Sequence, residues 1–308
     1  MTPVVHIVVT PGSGEGRALA TARKVEAALL ARGRRVKILV FRDLTRVRRW
    51  AQTRSPTFSH LVCVGGDATL SAAAGAAVRL GIPFVPVPNG FGNIFARAFG
   101  HQDRADAVVA LLERGDVRWV DVGATKDEIF LSHQSYGFLE QIQQTVERGR
   151  AQPKSRLRRH LAYYAMAKRI LMDTPLAGIR VEVDGKRVAD DAVVVTVANV
   201  ETYRGFLSLT PTASPLDGML DVFVLPRTNK LRLAARLLQL VLHAPGRWKD
   251  MVLARGHRVV VTVRGRPRAE LRTLRRALPL LVPAGSVEML EERQQENAVA
   301  VEGAVERV

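Results

Sequence analysis

The first third of the chain alternates short, mostly apolar runs with alanine-rich or amphipathic segments. Apolar runs of this kind are typical of strands that are buried on both faces of a parallel sheet. The segments between them, such as Ala18–Ala31 and the run Ser71–Leu80 that Gly81 closes, predict helices. The alternation predicts a doubly wound parallel α/β sheet, and its strands are Val4–Val9, Val36–Phe41, Leu61–Val64 and Pro83–Val87.

The pattern changes near Trp119, after which strands dominate. Ile179–Val188 predicts a hairpin with Asp184-Gly185 at its tip, since Asp-Gly is a strong turn signal between alternating residues. Further strands are predicted at Ile129–Ser132, Ala192–Val200, Leu220–Leu225, Arg258–Val263 and Leu278–Val282, and helices at Arg158–Met172 and Lys230–Leu242. We therefore predict an α/β domain over residues 1–122, a β-rich domain over 123–290, and a tail over 291–308 that returns to the first domain.

Composition narrows the partners without naming one. The 46 Lys and Arg residues against 29 Asp and Glu residues give a formal net charge of +17, which favours polyanionic partners or reflects an arginine-rich proteome. Aromatic residues do not interleave with the basic ones, so we do not expect nucleic-acid binding. No apolar run is long enough to cross a bilayer. With Cys63 as its only cysteine, which excludes a disulfide within the chain, a cytoplasmic protein is expected.

A basic run from Arg148 to His160 leads into the apolar positions of Leu161–Leu171. One interpretation is an interfacial segment that is drawn to an anionic membrane, which would make the protein peripherally membrane-associated. The other is a solvated linker followed by an ordinary packed helix. The sequence leaves both open, and it leaves the oligomeric state open as well, a homodimer included.

Two glycine-rich turns follow neighbouring strands. Gly65-Gly66-Asp67 ends the run Leu61–Val64, and a second turn at 89–93 follows the next strand. Such turns lie side by side at the carboxyl edge of a parallel sheet, where two helix N-termini favour an anionic ligand. Each residue also has a structural interpretation, because glycines permit tight turns and Asp67 and Asn93 are good helix caps. The earlier glycine-rich turn at 12–17 matches neither a P-loop nor a dinucleotide fingerprint.

The order of these motifs resembles one family. Thr10–Gly14 is similar to an Asn-Pro-x-Ser-Gly motif, and Gly65–Thr69 is similar to a Gly-Gly-Asp-Gly-Thr motif. Pro88–Arg97 is similar to Pro-x-Gly-Thr-x-Asn-Asp-x-Ala-Arg, and Leu209–Val222 is similar to Pro-x-Ala-x-x-Asp-Gly-x-Leu-Asp. These four motifs occur, in this order, in the diacylglycerol kinase catalytic-domain family. This family includes bacterial lipid kinases and the sphingosine and ceramide kinases. The resemblance spans most of the chain.

The resemblance implies a nucleotide-binding α/β domain, a C-terminal β-sandwich-like domain and an active site between them. It implies transfer of the ATP γ-phosphate to a diacylglycerol-like or sphingoid-like lipid alcohol with Mg²⁺. Asp67 would be the catalytic residue, either orienting the hydroxyl or acting through magnesium. The nucleotide-binding residues would be Ser13, Gly14, Gly65, Gly66, Thr69, Gly90, Gly92, Asn93 and Glu270. Asp217 and Asp221 are candidate metal ligands, although a turn followed by a strand edge also explains them.

The chain departs from the family pattern at several positions. Ala68 replaces the central glycine of the second motif, which makes a close approach to the backbone, or a positive φ there, costlier. Ile94 replaces the second acid of Asn-Asp, and the late Asp-Gly-Glu motif has only Arg268-Ala269-Glu270 as its nearest match. Two alternatives therefore stay open: a catalytically impaired lipid- or nucleotide-binding homologue, and a soluble-substrate kinase resembling NAD kinase.

Overall fold

The structure is a computed structural model. It describes residues 4–12, 16–53, 58–90, 92–148, 178–201, 209–233, 235 and 251–305. The predicted helix Arg158–Met172, the basic segment before it and most of the predicted helix Lys230–Leu242 lie outside these residues. No helix in the described ranges is both long enough and apolar enough to cross a membrane.

The N-terminal half is the predicted doubly wound parallel sheet. Its strands lie in the order β4-β3-β1-β2 and all three neighbouring pairs are parallel. Helices α1 and α5 pack on one face of the sheet, and α2 and α3 pack on the other. The elements are β1 (Val4–Val9), α1 (Ala18–Leu30), β2 (Arg35–Val40), α2 (Leu44–Gln52), β3 (His60–Gly65), α3 (Asp67–Leu80), β4 (Phe84–Pro88), α4 (Ile94–Ala98) and α5 (Ala105–Arg114).

The C-terminal half is built from antiparallel strands, as predicted. The sheet order is β11-β10-β9-β8-β12-β13, and β7 pairs with β9. The hairpin between β8 and β9 turns at Asp184 and Gly185, which have φ angles of 49° and 80°. The elements are β5 (Asp116–Ala124), β6 (Ile129–Phe130), β7 (His133–Gly137), α6 (Phe138–Arg148), β8 (Ile179–Val183), β9 (Lys186–Ala198), β10 (Leu220–Pro226), β11 (Val252–Gly256), β12 (Arg258–Val263), β13 (Arg266–Val282) and α7 (Ser286–Val305).

Strand β13 joins the two halves. Its first residues pair with β12, its later residues pair with β5, and Leu280 pairs with Phe84 of β4. The described strands therefore form one continuous 13-stranded sheet. The sequence pattern predicted only the last five residues of β13, because its first part is rich in arginine. Helix α7 follows and places Leu290 in the same core cluster as α3. The domain limits stay a prediction, since β5 runs through residue 122.

Other differences have local causes. Helix α3 begins at Asp67, not at Ser71, because Gly66 is its N-cap. Strand β7 was missed because it has no apolar alternation: His133, Gln134 and Ser135 are polar. Strand β9 is longer than predicted, because its first residues are polar and exposed where the hairpin leaves the core.

Candidate functional site

The first glycine-rich turn connects β3 directly to α3. A Cβ at Gly65 would lie 2.6 Å from Cβ of Thr69, so only glycine permits the buried Thr69 side chain to fold back onto the turn. The turn also accepts a hydrogen bond from the residue that follows β4, because Asn89 N donates to Gly65 O at 2.9 Å. The end of β3 is therefore fixed by Thr69 of the following helix and by Asn89 after the neighbouring strand.

The second turn is closed by Asn93. Its side-chain Oδ1 accepts from Gly90 N at 2.8 Å, and its Nδ2 donates to Gly90 O at 2.8 Å. Asn93 holds a left-handed backbone with φ of 52°, which asparagine tolerates better than most residues. It occupies the N-cap position of α4, but its side chain makes no cap hydrogen bond. Asn93 is therefore the N-cap residue by position, as predicted, but its side chain closes the Gly90 turn instead of bonding the helix N–H groups.

The two turns lie against each other through their backbones. A Cβ added to Gly90 would lie 2.5 Å from Cα of Gly66, and a Cβ added to Gly66 would lie 3.3 Å from Cα of Gly90. No side chain larger than hydrogen separates them. The prediction that the two turns are neighbours at one sheet edge is confirmed.

Asp67 lies at this junction, in the first turn of α3. Its Oδ1 accepts a hydrogen bond from Phe95 N at 3.3 Å. Its Oδ2 lies 2.9 Å from the position that a Cβ of Gly92 would take, so glycine leaves room for the carboxylate. The half-buried carboxylate sits at a helix N-terminus, where the backbone dipoles favour negative charge. The sequence identified Asp67 and Gly92 separately, and the structure brings them together.

Ala68 carries no backbone strain. It is an exposed residue of α3, and it is absent from the described non-glycine residues that have positive φ. A positive φ is therefore not needed at this position, because the residue is helical. Ser13 and Gly14, in the separate turn at 12–17 that follows β1, lie outside the described residues, so their nucleotide contacts stay predictions.

A cavity of about 510 Å³ opens beside the second turn. Asn89 forms part of its wall and donates through Nδ2 to Thr21 Oγ1 at 3.1 Å, while its buried Oδ1 has no hydrogen-bond partner among the described residues. The remaining wall comes from α1 and the start of α5 and carries three cations and two acids. These lining residues are Arg17, Ala20, Thr21, Lys24, Asp103, Arg104, Ala105 and Asp106. These residues were not predicted from the sequence, although the spacing of Arg17, Thr21 and Lys24 puts these three on one face of a helix.

The acids predicted from the second half of the chain have arginine partners. Arg255 contacts both Asp217 and Asp221, and burial raises the pKa of each of these carboxyl groups. Glu270 lies on β13 and accepts from Arg258 Nε of β12 at 2.7 Å, which lowers its pKa. These described contacts place none of the three acids beside the glycine turns. Their roles as metal or nucleotide ligands stay predictions.

Asp121 is a buried acid that the sequence analysis did not single out. Its Oδ2 accepts from Gly218 N at 2.6 Å, and its Oδ1 accepts from Arg276 N at 2.6 Å. It thereby ties β5 to the 217–221 turn and to the bulge of β13, where Arg276 has a φ of 45°. The sequence did contain a signal for this role, because Asp121 lies inside the apolar run Trp119–Gly123. A charged residue in a buried strand needs hydrogen-bond partners.

Comparison with known proteins divides the chain into two matched regions. Residues 4–125 match the family model described as the diacylglycerol kinase catalytic domain. Residues 137–272 match the model of the YegS C-terminal NAD kinase beta sandwich-like domain. The two matches follow each other as the α/β half and the antiparallel half do in the structure, and they agree with the expected β-sandwich-like second half.

Individual relatives carry related names. A diacylglycerol kinase of Mycobacterium tuberculosis is 29% identical over 240 residues, which cover 74% of this chain and 76% of the relative. A probable YegS-like lipid kinase of Pseudomonas putida is 27% identical over 248 residues, covering 77% and 81%. A crystal structure of a putative diacylglycerol kinase from Bacillus anthracis superposes with a TM-score of 0.67 at 18% identity, covering 92% of this chain and 98% of that one. That last likeness shows the fold alone.

Proposed function

We propose that this chain, which belongs to the diacylglycerol kinase catalytic-domain family, transfers the γ-phosphate of ATP to the hydroxyl group of a diacylglycerol-like or sphingoid-like lipid. The model of that family matches residues 4–125, and the YegS C-terminal domain model matches residues 137–272. One observation carries the proposal: the Asp67 carboxylate sits where two glycine turns meet backbone to backbone. Relatives named diacylglycerol kinase and lipid kinase support the substrate class in general terms.

The turns suit the binding of phosphate. The first N–H groups of a helix have no partner within the helix, and they attract anions together with the helix dipole. Helix α3 presents these groups at Gly66, Asp67 and Ala68, and Ala68 is exposed, which leaves the helix end open to a ligand. Thr69 and Gly65 would then hold the turn in shape beneath the phosphates.

Asp67 would act on the acceptor hydroxyl or on Mg²⁺. A carboxylate within reach of the hydroxyl can take its proton as the oxygen attacks, and general-base catalysis is worth about 10²–10⁴ in rate. Mg²⁺ is usually bound by one or two carboxylates together with substrate phosphates and water, where it neutralises phosphate charge. Among the described residues, no group of three or more His, Cys, Asp or Glu side chains could hold a metal ion by itself. Asp67 would share the ion with the phosphates of ATP.

The cavity beside Asn89 would take another part of the nucleotide. Asn89 lines the cavity, directly precedes Gly90 and is hydrogen-bonded through its backbone N–H to Gly65. The cavity therefore lies next to both glycine turns. Arg17 and Lys24 supply positive charge for phosphate oxygens. The buried Oδ1 of Asn89 would accept from a nucleotide hydroxyl or amino group, which would remove the cost of leaving it unpaired.

The test is phosphoryl transfer from [γ-³²P]ATP to a panel of lipid alcohols, with NAD included as a soluble acceptor. We expect label on a lipid and a loss of at least about 100-fold in Asp67→Asn, since the amide keeps the acceptor for Phe95 N but lacks the charge. Asp190→Asn, an exposed acid on β9, is the matched control. If folded Asp67→Asn transferred phosphate at an undiminished rate, Asp67 would have no part in the mechanism. If NAD alone were labelled, the acceptor would be a soluble molecule and not a lipid.

A second candidate is a homologue that binds nucleotide or lipid without efficient turnover. It is favoured by the arginine partners of Asp217, Asp221 and Glu270, which leave Asp67 as the acid that the described contacts place at the turns. Calorimetric binding of ATP with no labelled product from any acceptor would establish it. Contact with an anionic membrane, which the segment beginning at Arg148 suggests, stays a prediction because most of that segment lies outside the described residues.

A further inference from the structure

The Asp217–Asp221 turn holds two acids close to one arginine. Arg255 donates through Nη2 to Asp217 Oδ2 and through Nε to Asp221 Oδ2, the latter at 3.3 Å. The pairing register explains this contact, because Asp221 of β10 lies directly opposite Arg255 of β11. A single guanidinium therefore bridges both carboxylates.

The other two carboxylate oxygens also have donors. Asp217 Oδ1 accepts from Met219 N at 2.9 Å, and Asp221 Oδ1 accepts from Thr212 Oγ1 at 2.6 Å. All four oxygens are thus engaged by protein donors. Mg²⁺ and Ca²⁺ bind through carboxylate oxygens, so these two acids do not fit a metal centre while Arg255 is in place.

A second guanidinium lies beside the same turn. Gly218 has a φ of 79°, and a Cβ added there would lie 2.5 Å from Nε of Arg275. The Gly218 N–H is held by Asp121, and Gly218 O lies 2.9 Å from His257 Nδ1. The turn is therefore fixed on several sides and lies next to further positive charge, which disfavours a divalent cation.

We propose that Arg255 is a built-in cation that takes the place of a divalent metal ion between Asp217 and Asp221. The arginine fixes the turn permanently, so its stability does not depend on the concentration of divalent cations. Removing the guanidinium leaves two adjacent carboxylates, of which the Asp221 side chain is only 5% exposed, and creates a site that Mg²⁺ or Ca²⁺ can occupy. The inference does not depend on the proposed kinase activity.

The proposal is tested by measuring the Tm of the full chain first in EDTA and then with Mg²⁺ or Ca²⁺ at about 5 mM. This concentration lies above the dissociation constants of weak carboxylate sites, which are about 10⁻⁴–10⁻³ M. We expect the Tm of the unaltered protein to change by less than about 1 °C between these conditions. Arg255→Met should lower the Tm in EDTA by roughly 5–10 °C, since it leaves a buried acid unpaired. Divalent cations should restore a substantial part of this loss.

Three further variants separate the causes. Arg180→Met removes the arginine of an exposed pair with the single acid Asp190, and should show neither the loss nor the cation response. Asp217→Asn in the Arg255→Met background removes one carboxylate and should abolish the recovery. Arg255→Lys retains a cation and keeps the proposal testable if Arg255→Met does not fold: it should remain insensitive to divalent cations.

Two results would overturn the proposal. One is stabilisation of the unaltered protein, or of Arg255→Lys, by several degrees on adding Mg²⁺ or Ca²⁺ that persists when Asp67→Asn is added, because a metal would then bind at the Asp217–Asp221 turn despite the resident cation. The other is an Arg255→Met protein that loses stability and recovers none of it with either ion, which would make Arg255 an ordinary structural residue.

Discussion

Replacing Gly90 by alanine should push the two glycine turns apart. The new Cβ would lie 2.5 Å from Cα of Gly66, whereas carbon atoms in ordinary contact are about 3.5–4.0 Å apart. The nearest atom and Gly66 N at 3.2 Å belong to the backbone, and Asn93 Oδ1 at 3.0 Å is held by Gly90 itself. The two turns must therefore separate by about 1 Å. Gly90 is not among the glycines with positive φ, so the effect is a steric one and not a strained conformation.

The separation would act on Asp67, which follows the first turn and is held to the second through Phe95 N. A displacement of about 1 Å at a reacting group can cost about 10²-fold in rate, and overpacking costs about 1–3 kcal/mol of folding free energy. We therefore expect phosphoryl transfer by Gly90→Ala to fall about 100-fold, with a Tm lowered by only a few degrees. Gly66→Ala, where the corresponding distance is 3.3 Å, should lose less activity.

Gly75→Ala is the matched control for this series. It lies in α3, the helix that begins at the first turn, and its added Cβ would meet nothing closer than Ala51 Cβ at 3.8 Å. Its activity should be unchanged, and its stability should rise slightly because alanine favours a helix. If Gly90→Ala retained the activity of Gly75→Ala in the [γ-³²P]ATP assay, the contact between the turns would not position the reacting groups.

Two other buried groups give predictions about stability. His101 is buried with both ring nitrogens unpartnered among the described residues, and burial lowers its pKa to about 3 from the ordinary 6.5. In the unfolded chain His101 takes up a proton below pH 6.5, whereas in the folded chain it does not until about pH 3. The free energy of unfolding is therefore largest above pH 6.5 and falls as the pH drops towards 3. At pH 5 the loss is about 2 kcal/mol. Urea unfolding of His101→Gln should show a pH dependence that is shallower by this amount, and an unchanged slope would contradict the assignment. Asp121→Ala should cost about 2–5 kcal/mol in guanidinium unfolding, because Gly218 N and Arg276 N each lose their acceptor; a cost below 1 kcal/mol would show that these bonds are replaced.

The sequence by itself was sufficient for the parts of the protein that local signals specify. Apolar runs and helix stops predicted the parallel sheet, Asp184-Gly185 predicted the hairpin, and the placing of Gly65–Asp67 and Gly90–Asn93 after neighbouring strands predicted that the turns meet. Each signal works within a few residues, since strand burial, turn geometry and helix ends are decided by the backbone and its nearest side chains. Cys63 was likewise expected in a buried strand, and burial raises the pKa of its thiol above the ordinary range.

Only the tertiary structure decided which distant residues become partners. The path of β13 through both halves, the contact of Arg255 with Asp217 and Asp221, and the role of Asp121 all depend on strand register between segments far apart in the chain. Register is set by the packing of the whole sheet and leaves no local pattern: the arginines of β13 hid its strand, and nothing near Asp217 in sequence indicates which cation faces it. Local sequence signals therefore predict Asp67 and the two glycine turns, whereas the partners of the other acids are decided by the tertiary structure.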